Sequence, residues 1–109
     1  MDTFSPASIN GSWYEQYEFR AIDDGQLADL ADMTEIELTL RDLSSRLDEL
    51  VLRKSTGEIT IVGVGVIEWR VPQTTMAQLE PKLYRILIRA TDPDGIVIVA
   101  ENSVISIVE

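Results

Sequence analysis

The chain has 109 residues, 45% of them hydrophobic and 26% charged, and its 9 Lys and Arg against 19 Asp and Glu give a net charge of −10. That length supports one domain with a hydrophobic core and is too short for two. The absence of His and Cys excludes Ser-His-Asp and Cys-His nucleophile pairs, zinc fingers and thiol redox sites, and the acid excess argues against nucleic acid as a partner.

The segment 1–11 is rich in Ser, Pro and Asn and reads as a flexible lead-in to one domain over 12–109. It has neither the basic cluster nor the apolar run of a signal peptide. The longest apolar stretch, Ile61 to Ile67, is too short to span a bilayer. No membrane partner is expected, and the expected location is the cytoplasm or something assembled there.

From Trp13 the chain alternates. Trp13, Tyr17, Phe19 and Ala21 share one face, with Glu15 among them, while Tyr14, Gln16, Glu18 and Arg20 share the other. That is the pattern of a half-buried strand. Asp23-Asp24-Gly25 marks a turn. The segment Thr34 to Lys54 has two readings. Ile36, Leu40, Leu43, Leu47 and Leu50 recur at helical spacing, and Thr34 with Glu37 resembles a capping box. A helix would leave Leu38 and Leu52 on its polar side, whereas two strands bury both, so the strand pair is favoured.

Further on, Glu58 to Val62 and Val66 to Val71 are rich in Ile and Val, with Gly63 and Gly65 between them, and Pro72 stops the second. Thr74 to Leu79 allows one helical turn. Tyr84, Ile86, Ile88 and Ala90 alternate with Arg85, Leu87 and Arg89. Asp92-Pro93-Asp94-Gly95 is a strong turn signal, and Ile96 to Ala100 and Val104 to Val108 read as two final strands. Short strands between turns predict an all-β antiparallel sandwich or barrel. Within Leu79-Glu80-Pro81-Lys82-Leu83-Tyr84, a Tyr opens a strand after a Pro bend. Leu79, Pro81 and Tyr84 are therefore candidates for a structural tyrosine corner, in which the hydroxyl bonds back to upstream backbone.

Few groups are candidates for chemistry. The pairs Asp23 and Asp24, Asp29 and Asp32, and Asp92 and Asp94 lack the ligand offsets of an EF-hand and suit turns instead, so no metal or catalytic site is assigned. Gly63-Val64-Gly65 lies between strands rather than before a helix, which favours a bulge or tight bend over a phosphate loop. Among Trp13, Tyr14, Tyr17, Phe19 and Trp69 only Tyr14 faces outward, so a sugar-stacking platform is the weaker reading.

Charge is more informative. Residues 1–50 hold 3 basic and 12 acidic side chains, and residues 51–109 hold 6 and 7. Leu83, Arg85, Leu87 and Arg89 share the outward face of a late strand. They form a candidate interface with a neighbour's acidic first half. The last strands carry only Glu101 and Glu109 as charged gatekeepers, so an exposed edge there invites pairing with another chain.

From Asn10 to Ile107 the chain resembles the small immunoglobulin-like domains of bacteriophage and prophage tail or baseplate gene clusters. The similarity rests on Gly11-Ser12-Trp13 before the first strand, Asp29-Leu30-Ala31-Asp32 before the second, Val71-Pro72 leading to the bend that ends at Tyr84, and the hairpin Asp92 to Gly95. Lys82 replaces the family's Gly in that bend, and Asp32 stands where Gly is usual. The resemblance implies an immunoglobulin-like sandwich of about seven strands. It also implies a non-enzymatic tail or baseplate adaptor without cofactor that contacts other phage structural proteins, with a homo-oligomer as one form. The alternative reading is a carbohydrate-binding or adhesin-like module.

Overall fold

The computed structural model describes residues 4–20 and 25–109. In chain order it contains β1 (Ala7–Ser8), β2 (Trp13–Glu18), β3 (Glu35–Asp42), β4 (Asp48–Arg53), β5 (Ile59–Gly63), β6 (Val66–Val71), the short helix α1 (Gln73–Met76), β7 (Lys82–Thr91) and β8 (Val97–Val108). The strands form a five-stranded sheet in the order β1-β8-β7-β3-β4 and a three-stranded sheet in the order β2-β6-β5. The fold is all-β.

The ambiguous Thr34 to Lys54 segment is the β3–β4 hairpin. Leu38 pairs with Leu52 and Leu40 with Leu50, and Ile36, Leu38 and Leu40 are fully buried. The two leucines that a helix would strand on its polar side face the core together, which settles the competition between periods of 2 and 3.6. At the turn, the Asp42 carboxylate accepts backbone N–H bonds from Ser44 at 2.8 Å and Ser45 at 3.3 Å, and Arg46 takes a positive φ of 62°.

Both sheets contribute to one core. It includes Trp13, Phe19, Ile59, Ile67, Trp69 and Val71 from the side of the small sheet and Ile36, Leu38, Tyr84, Ile86, Ile88 and Ile105 from the large one. Trp13 meets Trp69 edge-on at 5.5 Å between centroids, a favoured aromatic geometry. The Tyr17 hydroxyl reaches from β2 to the Ala100 carbonyl of β8 at 3.0 Å and to Glu101 at 2.8 Å, tying one sheet to the other.

Several expectations are corrected. Ile96 to Ala100 and Val104 to Val108 are not two strands; Val97 to Val108 is one strand, with a register shift opposite Ile88 and Arg89. Asn102 and Ser103 break the apolar pattern, but ladder pairing uses the backbone, which they supply like any other residue. The lead-in over 1–11 is not wholly loose. Ala7 and Ser8 pair with Ile107 and Val108, and Ala7 is buried. That pairing is parallel, so the sheet is not purely antiparallel.

Tyr17, Leu50 and Ile61 are half-buried at the margin of the core, and Ile98 is 46% exposed. Conversely, Leu30, Met76 and Leu79 enter the core from connections that carry no strand periodicity. Ala21, Asp23 and Asp24 lie outside the described residues.

Candidate functional site

Alternation along β7 sends Tyr84, Ile86, Ile88 and Ala90 into the core and Leu83, Arg85, Leu87 and Arg89 to the outer face. The outward four are not equivalent. Leu83 is 53% exposed, whereas Leu87 is 8% exposed. Leu87 lies mid-sheet, paired with Thr39 of β3 on one side and Asn102 of β8 on the other. Arg89 donates to Glu37 and reaches Thr39 Oγ1 at 3.4 Å. Glu37 also accepts from Arg53 Nε at 3.0 Å. Arg85 Nη1 donates to Asn102 Oδ1 at 2.7 Å. Leu83 and Arg85 are thus the members of the stripe most open to a partner, while Arg89 is already held within the sheet.

The charge asymmetry of the sequence is also partly consumed inside the chain. Glu37 and Asp48 belong to the acidic first half, yet they pair with Arg89, Arg53 and Arg41. β3 lies directly beside β7, so first-half acids and second-half bases become neighbours in one sheet.

The start of β8 carries a continuous run of exposed aliphatic residues. β1 covers only Ile107 and Val108, which leaves the outer edge of β8 from Val97 to Ser106 without a ladder partner among the described residues. Ile96, Val97, Ile98 and Val99 are each about half exposed. The predicted gatekeeper Glu101 does not guard this edge: it accepts the Tyr17 hydroxyl across the two sheets. Burial and that carboxylate push the Tyr17 hydroxyl pKa well above the ordinary tyrosine value. Beneath the same end of β8 opens an apolar cleft of about 480 Å³, lined by Tyr17, Phe19, Leu30, Met33 and Ile98 among others.

The tyrosine-corner residues sit where the chain passes from one sheet to the other. Pro72 precedes α1, Met76 and Leu79 are buried, and the Tyr84 hydroxyl donates to the Glu80 carbonyl at 3.0 Å while accepting the Glu80 N–H at 3.2 Å. Pro81 lies exposed in the bend between them.

The remaining sequence candidates resolve into structural roles. Asp92 Oδ1 accepts the N–H groups of Asp94 and Ile96, and Asp29 Oδ1 accepts that of Ala31, as turn-forming Asp does. Among the described residues no group of three acidic side chains is placed to hold a metal. Gly65 lies in the β5–β6 turn at φ +71°, and a Cβ there would stand 2.7 Å from the Ala28 carbonyl oxygen, so the glycine permits close approach of the 27–28 backbone. Tyr14 is 49% exposed, but the Arg70 guanidinium stacks over its ring at 4.6 Å and its hydroxyl donates to Glu68 at 2.7 Å. One face of that ring is therefore already covered.

Among the described residues no helix is long and apolar enough to cross a membrane. Compared with known proteins, the chain matches no protein-family model, no curated protein and no solved structure.

Proposed function

We propose that this domain is an immunoglobulin-like sandwich that serves as a non-enzymatic adaptor in a phage or prophage tail or baseplate, joining neighbouring subunits through the open edge of β8. The strand order supports the fold assignment. A five-stranded sheet beginning with a parallel edge pair faces a three-stranded sheet, and the chain crosses between them through a Tyr84–Glu80 backbone clasp, features used by immunoglobulin-like domains. The phage assignment rests on the short motifs of the sequence.

The observation that carries the adaptor role is the β8 edge itself. Among the described residues its outer edge has no ladder partner from Val97 to Ser106, and the residues that open it are aliphatic and exposed on both faces. Single-chain proteins blunt such edges with Lys, Pro or a bulge; β8 has no Lys or Pro and one register shift, opposite Ile88 and Arg89. A strand added there gains main-chain hydrogen bonds and buries side chains on alternating faces.

The test is co-expression with tail and baseplate proteins of the same genome, followed by size-exclusion chromatography. Co-elution of the wild-type domain with one of them, abolished by the double substitution Val97→Lys and Val99→Lys, is the expected result. Elution of the wild-type domain apart from all of them overturns the proposal.

A further inference from the structure

The β3–β4 hairpin carries a feature unrelated to the β8 edge. Three of the nine basic residues of this acidic chain, Arg41, Arg46 and Arg85, line one open cleft of about 260 Å³ together with Asp42 and Leu43. Arg41 and Arg85 are direct cross-strand partners, which places two like charges about 5 Å apart at Cβ, an arrangement that ordinarily destabilises a sheet. The nearby carboxylates compensate Arg41 but not Arg85 or Arg46. Asp48 is taken by Arg41 Nε at 2.8 Å. Asp42 is taken by Lys82 Nζ at 2.5 Å and by two backbone N–H groups. Among the described residues Arg85 has only the neutral Asn102 amide oxygen, through Nη1. Arg46 is exposed at the turn with a positive φ of 62°, a conformation that favours Gly or Asn.

We infer that this cleft is a binding site for a multivalent phosphate-type oxyanion, gripped by Arg46 and Arg85 with Arg41 completing the ring. Guanidinium groups present paired N–H donors that match phosphate oxygens, and Arg41 and Arg85 keep N–H donors that their present partners do not use. A dianion answers the charges of Arg46 and Arg85, which have no carboxylate partner among the described residues, better than a single carboxylate does. The field of a chain with net charge −10 repels anions in general, so saturable anion binding to this protein requires a local site of this kind.

The experiment is an amide NMR titration of the full chain with pyrophosphate at low ionic strength, repeated with O-phosphoserine and with acetate. Saturable shifts confined to residues 41–47, 85 and 102 are expected. Arg46→Asn, which suits the turn backbone, and Arg85→Gln should each weaken binding about tenfold, and Arg70→Gln on the other sheet should leave it unchanged. O-phosphoserine bound as tightly as pyrophosphate supports the site with a phosphorylated side chain as source. Much weaker phosphoserine binding supports it with free polyphosphate as source. Shifts that never saturate, acetate binding as tight as pyrophosphate, or full affinity in Arg46→Asn would each overturn the inference.

Discussion

At Tyr84 a single hydroxyl closes the β6–β7 connection in two directions, donating to the Glu80 carbonyl and accepting the Glu80 N–H. The ring is 1% exposed, so its removal would open the core, whereas removal of the hydroxyl alone isolates the clasp. Tyr84→Phe leaves both Glu80 groups without that partner in a part-buried place, and the expected cost is about 1–3 kcal/mol, read from chemical denaturation. An unchanged denaturation midpoint would show that water replaces the hydroxyl without loss. The pattern Leu-x-Pro-x-x-Tyr makes this contact legible in the sequence because donor and acceptor are four residues apart. The Tyr17–Glu101 contact spans 84 residues, and no local pattern announces it.

At the scale of elements, the start of β7 is pinned to the end of β3 by the Lys82–Asp42 pair. The hydrogen bond from Lys82, with those from Ser44 and Ser45, holds the Asp42 carboxyl below its usual range, and the bonds to Asp42 and Glu80 hold the Lys82 ammonium above its own. A depressed acid contributes stability above its unfolded pKa and loses it as pH falls through the folded one. A raised base contributes below its unfolded pKa and loses it as pH rises through the folded one. The pair therefore contributes most between about pH 4 and about pH 10. The stability difference between wild type and Lys82→Gln, measured by denaturant titration, should be greatest in that window and shrink on both sides. A difference constant from pH 3 to 8 would assign the effect of Lys82 to its packing over the Tyr84 ring, 5.6 Å away. The hairpin joining β3 to β4 was readable once Leu38 and Leu52 were required to be buried together. The continuity of β8 was not, because Asn102 and Ser103 look like a turn to any rule based on side chains.

For the whole molecule, net charge and the β8 edge act in opposite directions. Two copies approaching one another carry −10 each, while edge-to-edge pairing is driven by aliphatic burial and backbone hydrogen bonds. Screening shortens the reach of the repulsion to about 8 Å at physiological ionic strength and about 3 Å at 1 M. Self-association through β8, followed by sedimentation, should therefore strengthen as salt rises. A contact between the Arg85 and Leu83 stripe and a neighbour's acidic residues would weaken instead, so the sign of the salt effect separates the two surfaces. A domain monomeric at every salt and protein concentration would exclude both as self-association surfaces.

What acts over short range is legible along the chain. Alternation marked the inward residues of β2, β3 and β7, the Asp-Pro-Asp-Gly turn followed from intrinsic φ preferences, and missing side chains excluded His and Cys chemistry. Tertiary structure decided what depends on pairing between distant segments. It brought Glu37 of the acidic half beside Arg89, and it withdrew Glu101 from the β8 edge to meet Tyr17. It also set Arg41 opposite Arg85, and left Val97 to Val99 at an edge with no neighbouring strand among the described residues. Register and sheet order fix each of these juxtapositions. Both are properties of strand pairs far apart in the chain, which a period of two residues along one strand does not encode.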